Sequence, residues 1–227
     1  MTEQQQLNRQ LVAEFFGSLI LVFTAISPII LGYNVLGTSI GLAVLMDAVA
    51  VGFVLFVLIE TLGPISGCHL NPAVTLAMLA ANQIERPRAI RYIVVQIVGG
   101  LLGTLASHAT FLGHDFFQWI AISDVARDGG AFFAEFIGTF MLIVVIFGTV
   151  RHQSKQAGLI IGLLVGGFLI TTSSTMFANP QVTIARVFTW AMAGVRPFDA
   201  LIFIVVQIAA ALAATRFSTY LFAIDST

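Results

Sequence analysis

The chain has 227 residues, 58% of them hydrophobic and 9% charged, with a formal net charge of -1 at pH 7. A mean hydropathy of +0.99 excludes an ordinary soluble domain and indicates a polytopic membrane protein, and ten scattered Lys and Arg against eleven Asp and Glu offer nothing to nucleic acid. The single Cys68 excludes an intrachain disulfide.

Residues 1–10 are polar and lack the build of a cleavable signal, so the first apolar segment is expected to stay in the membrane and direct insertion. A helix needs about 20 apolar residues to span the hydrocarbon. Six stretches qualify, near 11–32, 37–60, 89–112, 131–150, 157–175 and 198–218. Two further apolar stretches, 68–82 and 178–192, are too short to cross and read as re-entrant half-helices. Each opens on Asn-Pro, at Asn71-Pro72-Ala73 and at Asn179-Pro180-Gln181. Asparagine caps a helix, and proline fits its first turn because its missing N–H would have had no partner there.

The two halves repeat. Ala13-Glu14-Phe15-Phe16-Gly17-Ser18 returns as Ala134-Glu135-Phe136-Ile137-Gly138-Thr139, and Asn-Pro returns 108 positions on, from 71 to 179. Ile93-Val94-Val95-Gln96-Ile97 returns as Ile204-Val205-Val206-Gln207-Ile208. Each copy holds three crossings, an odd number, so the second copy is inverted relative to the first. The expected fold is an all-α membrane protein with six transmembrane helices and two half-helices. It forms a single domain, 1–227, with repeat halves of about 1–120 and 121–227. Arg9, Arg86, Arg88, Arg91, Arg151, Lys155 and Arg216 fall on one side of this topology, and Arg127 and Arg196 on the other. The richer side is read as cytoplasmic, with both termini there and the chain in the inner (plasma) membrane.

Inversion brings the two half-helix N-termini together near the midplane, where two positive dipole ends repel cations. The Asn71 and Asn179 amides are candidate donors to neutral solutes that carry an acceptor oxygen. With the Gly63-Pro64-Ile65-Ser66-Gly67 lead-in, the repeat and both Asn-Pro openings, the chain resembles the aquaporins of the major intrinsic protein family over nearly its whole length. Asn71-Pro72-Ala73 matches the first signature, and in Asn179-Pro180-Gln181 a glutamine replaces the second signature's alanine.

The resemblance implies a homotetramer with one pore per subunit, selecting by pore diameter, lining donors and dipole barriers. It also implies a four-position filter, placed at Val51, at Leu169 or its neighbour Phe168, at Met176 and at Val182. Members restricted to water or glycerol usually carry arginine at the last position. Valine there removes a fixed charge and implies a wider or more apolar filter. The Asn-Pro-x-Val-Thr-Ile-Ala-Arg pattern is similar to bacterial aquaporins associated with arsenic resistance, so water, glycerol, urea and arsenite are the implied solutes.

Glu14 and Glu135 lie inside apolar spans. The resemblance gives them a structural role, accepting hydrogen bonds from the loop of their own repeat, with a proton relay as the alternative. Gln96 and Gln207 read as helix-packing amides. His69 reads as a buried loop tether or as a pH sensor at the mouth, and Cys68 as a small buried residue or a soft-metal ligand. The side chain of Gln181 either donates to a passing solute or bends back to cap its own half-helix, and the second is favoured. Asp47, four residues before Val51, and Arg186, four after Val182, each stand about 6 Å outward of a filter position. They are read as an ion pair at the outer mouth, or as two separately solvated charges.

The functional expectation is a passive channel for small uncharged solutes embedded in a lipid bilayer. The alternative is a proton-coupled carrier using Glu14, Asp47 or Glu135. No nucleophile, base and orienting group cluster as in an enzyme, and no cofactor or metal site is expected.

Overall fold

A capping box starts the first helix: Thr2 Oγ1 accepts from Gln5 N at 3.2 Å, and Gln5 Oε1 accepts from Thr2 N at 2.8 Å. The polar lead-in is therefore helical well before the first apolar run. In this computed structural model, which describes residues 2–223, the helices are α1 Glu3–Ile29, α2 Ile40–Ser66, α3 Pro72–Ala80 and α4 Arg86–Ala109. They continue as α5 Gly129–Arg151, α6 Ala157–Thr171, α7 Pro180–Arg186 and α8 Pro197–Leu221. A wider π-helical stretch, Ile30–Val35, prolongs α1 just beyond Pro28, whose ring leaves one carbonyl of the preceding turn without its donor. No strand occurs among the described residues.

Five of these helices are long and apolar enough to cross a membrane, and α6 is a shorter apolar helix of 15 residues, about 22 Å long. The expected span 157–175 thus stops early. Thr171 Oγ1 and Thr172 Oγ1 donate to the Gly167 and Phe168 carbonyls at 2.8 and 2.7 Å, and Thr172 Oγ1 accepts from Met176 N at 3.1 Å. The helix ends because Thr172 turns extended, at φ -102° and ψ 143°, and the hydroxyl-rich run 171–175 satisfies its own backbone. The half-helices are also shorter than expected. Residues 68–71 approach α3 in a non-helical path, and α7 ends at Arg186 rather than near 192. The carbonyls that would continue α7 are taken from outside: Ala185 O by Thr104 Oγ1, Arg186 O by Val195 N and Val187 O by Ser123 N.

Six crossings return the chain to the face on which it began, here called proximal; the opposite face is distal. The contacts follow the inverted repeat. Helix α1 packs on α4 as α5 packs on α8, and α2 meets α6. Helix α3 packs more on α8 than on its own α4, whereas α7 packs more on α4 than on its own α8. Each half-helix is thus embraced by the other half of the molecule.

The α2–α6 contact depends on glycine. A Cβ on Gly162 would lie 2.5 Å from the Gly52 carbonyl oxygen, and one on Gly52 3.0 Å from the Gly162 carbonyl oxygen. Backbones approach this closely only where side chains are absent. Val51 and Leu169 sit on these two helices and owe their separation to that contact.

Candidate functional site

Two buried carboxylates hold the loops that precede the half-helices. Glu14, fully buried, accepts from His69 N, Leu70 N, Ser66 Oγ and Gln96 Nε2 at 2.9, 2.8, 2.6 and 2.7 Å. Glu135, also fully buried, accepts from Phe177 N, Ala178 N and Gln207 Nε2 at 2.8, 2.8 and 2.6 Å. Gln96 and Gln207 further bond Thr75 and Thr183, the matching residues of α3 and α7, at 3.1 and 3.0 Å. The loops adopt conformations that L-residues avoid: Cys68 and Leu70 have φ of 50° and 46°, and their counterparts Met176 and Ala178 have 39° and 44°. Each such residue costs about 1 kcal/mol. Charge-assisted bonds from the loop N–H groups to a buried carboxylate offset that cost.

The Asn-Pro openings meet in the interior. Asn71 Oδ1 caps α3 by accepting from Ala73 N at 2.8 Å, and Asn179 Oδ1 caps α7 by accepting from Gln181 N at 3.1 Å. The amide nitrogens cross over: Asn71 Nδ2 donates to Ala178 O and Asn179 Nδ2 to Leu70 O, both at 2.8 Å. An amide nitrogen has two protons, so one is fixed in the junction and one remains per asparagine. Sequence reasoning foresaw the amides but not the carbonyls that orient them.

A cavity of about 300 Å³ runs past this junction. Its lining includes Asn71 and Asn179, and beyond them Val51, Leu169, Met176 and Val182. Of the two candidates on α6, Leu169 lines the cavity and Phe168 does not. Pro72, Ala73 and Pro180, placed at the constriction by the sequence, are buried behind it and absent from the lining. His69, expected to be buried, is half-buried and lines the cavity, with Nδ1 3.1 Å from Thr75 Oγ1. Cys68 lines the cavity toward the proximal end, and its Sγ donates to Leu58 O at 3.4 Å.

Gln181 takes neither of the roles weighed for it. It is fully buried, absent from the cavity wall, and donates through Nε2 to Leu70 O of the opposite repeat at 3.1 Å. The reason lies on α4. A Cβ on Gly100 would collide with Gln181 Oε1, so the glutamine occupies room that the glycine leaves. Gln181→Ala is expected to lower the unfolding free energy by about 2 kcal/mol, a lost hydrogen bond plus a cavity. Adding Gly100→Ala should recover part of it. Thermal unfolding in detergent, run as a double-mutant cycle, checks the coupling.

At the distal end Arg186 lines the cavity while only 2% exposed. Its Nη2 donates to Asp47 Oδ2 at 3.3 Å and to the Ala25 carbonyl, and its guanidinium lies over the Phe177 ring at 4.3 Å. Asp47 is 2% exposed and does not reach the cavity wall. Sequence reasoning overlooked Phe177, although it is the repeat counterpart of His69, 108 positions on. Arg127, in the linker before α5, stands over the same ring at 5.3 Å. Burial, reinforced by the neighbouring Arg186, pulls the Arg127 guanidinium down to about 10, still charged at neutral pH.

Comparison with known proteins agrees with this geometry. Residues 1–178 match the family described as major intrinsic protein. The chain is 30% identical over 220 residues to aquaglyceroporin AqpS of Rhizobium meliloti (strain 1021), covering 96% of this chain and 92% of that protein. It is also 30% identical over 205 residues to aquaporin AqpM of Methanothermobacter marburgensis, covering 73% of this chain and 76% of the relative. Among solved structures, the aquaglyceroporin from Plasmodium falciparum superposes with a TM-score of 0.71 over 96% of both chains, at 20% identity, a likeness of fold. The chain belongs to the major intrinsic protein family and is a multi-pass membrane protein with the aquaporin fold.

Proposed function

We propose that the chain is a passive channel for small uncharged solutes, water and glycerol first, with urea and arsenite within its range. The observation that carries this reading is the cavity that passes two crossed asparagine amides and then an apolar ring of Val51, Leu169, Met176 and Val182. A solute with an acceptor oxygen recovers hydrogen bonds at the amides, and one with a hydrocarbon side loses little at the ring. Two of the relatives are named aquaglyceroporins, which supports glycerol. The carrier alternative is disfavoured, since Glu14 and Glu135 are fully engaged by their own loops and Asp47 lies behind the cavity wall.

The basic residues on the proximal face support an orientation with both termini cytoplasmic in the inner membrane. The matched halves support a single domain, and family likeness supports a homotetramer. Stopped-flow light scattering of proteoliposomes tests the central reading. Wild-type vesicles are expected to pass water and glycerol without saturation or pH-gradient drive. Val182→Arg should cut glycerol and urea flux by about tenfold and water flux much less, because it narrows the ring and adds a charge. Saturable, gradient-driven uptake by the wild type would instead establish a carrier.

A further inference from the structure

The apolar ring of Val51, Leu169, Met176 and Val182 carries no charge. Arg186 stands one helical turn further out and is the one charged side chain among those lining the cavity. Three separate elements fix it: Asp47 of α2, the Ala25 carbonyl of α1, and the Phe177 ring in the linker before α7. We propose that Arg186 is the specificity-determining charge of this channel and that Asp47 is its positioning residue and counter-charge. This rests on the channel reading above.

The pair is polarised across the wall. Arg186 meets the lumen while Asp47 lies behind it, buried and out of the lining. A nearby carboxylate weakens the field of a guanidinium but does not cancel it on the guanidinium's own side. The other charges near this point are Arg127, over the same Phe177 ring, and Glu135, which is fully buried and held by Phe177 N and Ala178 N. Arg186 therefore faces cations ahead of the uncharged constriction, with Arg127 behind it on the same ring. The contact to Asp47 is single, with Arg186 Nε and Asp47 Oδ1 both buried and unpartnered. A structural ion pair would gain from a bidentate fit. This geometry instead sets the direction in which the charge points.

The test is ion selectivity in proteoliposomes, with sodium and chloride permeability and glycerol flux read on the same preparations. Arg186→Gln removes the positive charge from the lumen side and is expected to raise sodium over chloride permeability by about tenfold or more. Asp47→Asn leaves the guanidinium uncompensated and is expected to move the ratio about as far the other way. Asp47→Glu should return the ratio toward wild type, and glycerol flux on the same vesicles counts the open pores against which each ion permeability is normalised. Either single variant decides the matter should the other not fold. Wild-type ion permeabilities in the variants would overturn the proposal and assign the barrier to the apolar ring. Sodium and chloride rising together in both variants would also overturn it, because a loosened structure leaks without regard to sign. Absence of glycerol flux in the wild type would strike the channel reading itself, a separate result.

Discussion

Glu14→Ala is expected to remove about 3–5 kcal/mol of stability, enough to deplete the folded protein. The substitution strands four donors at once, two backbone N–H groups, the Ser66 hydroxyl and the Gln96 amide, in a place water does not reach. Each buried unpaired donor costs about 1–3 kcal/mol, and the left-handed Leu70 loses the bond that holds it. Glu14→Gln separates charge from shape. Its amide keeps one acceptor oxygen but turns a donor toward other donors, so it should recover less than half of the loss. Denaturant titration in mixed micelles measures both. A Glu14→Gln protein of wild-type stability would mean that the carboxylate is not the loop's anchor and would reopen the proton-relay reading.

The second large effect is expected at Gly162. In Gly162→Leu the new Cβ would lie 2.5 Å from the Gly52 carbonyl oxygen, a backbone atom that no rotamer change can move. Helices α2 and α6 must separate, at a cost of about 3 kcal/mol or more for overpacking of this kind. The separation also acts on the proposed filter, because Val51 and Leu169 line the cavity from the two helices that part. The variant should therefore show a lower thermal midpoint together with weaker discrimination by solute size. Gly167, whose added Cβ meets nothing within 4 Å, supplies the control: Gly167→Leu should leave both unchanged.

Most of the fold could be read from the sequence because a membrane imposes length on any crossing and the repeat imposes order. Segments long enough to cross appeared as long apolar runs, and the two Asn-Pro openings located the half-helices. The errors came where local hydrogen bonding overrides hydropathy. Hydropathy averaged over the span absorbed the hydroxyl-rich run 171–175, yet Thr172 is already extended and its Oγ1 accepts from Met176 N, so α6 stops there. Val187 and Phe188 are apolar enough for α7, but Val195, Ser123 and Thr104 claim the carbonyls. At the site, Asn71 and Asn179 were legible from the repeat, and the family resemblance pointed to Val51, Met176 and Val182, which line the cavity. Gln181 was not, because its environment is set by Gly100, which is 81 positions away in sequence and has no side chain to signal its role. Arg186 and Asp47 were visible as one-turn displacements, while the Phe177 ring beneath the guanidinium required the fold.

The crossed asparagines also set a schedule for synthesis. Leu70 O is bonded by Asn179 and Gln181, and Asn71 by the carbonyl of Ala178, so the first loop cannot be completed until a segment 108 residues later has left the ribosome. At about 5–20 residues per second, that interval lasts about 5–20 s. Throughout it the first Asn-Pro loop waits with the Leu70 carbonyl and the Asn71 amide unmatched. Neither half-helix junction is therefore complete by itself, and the two are finished together when the second loop docks on the first.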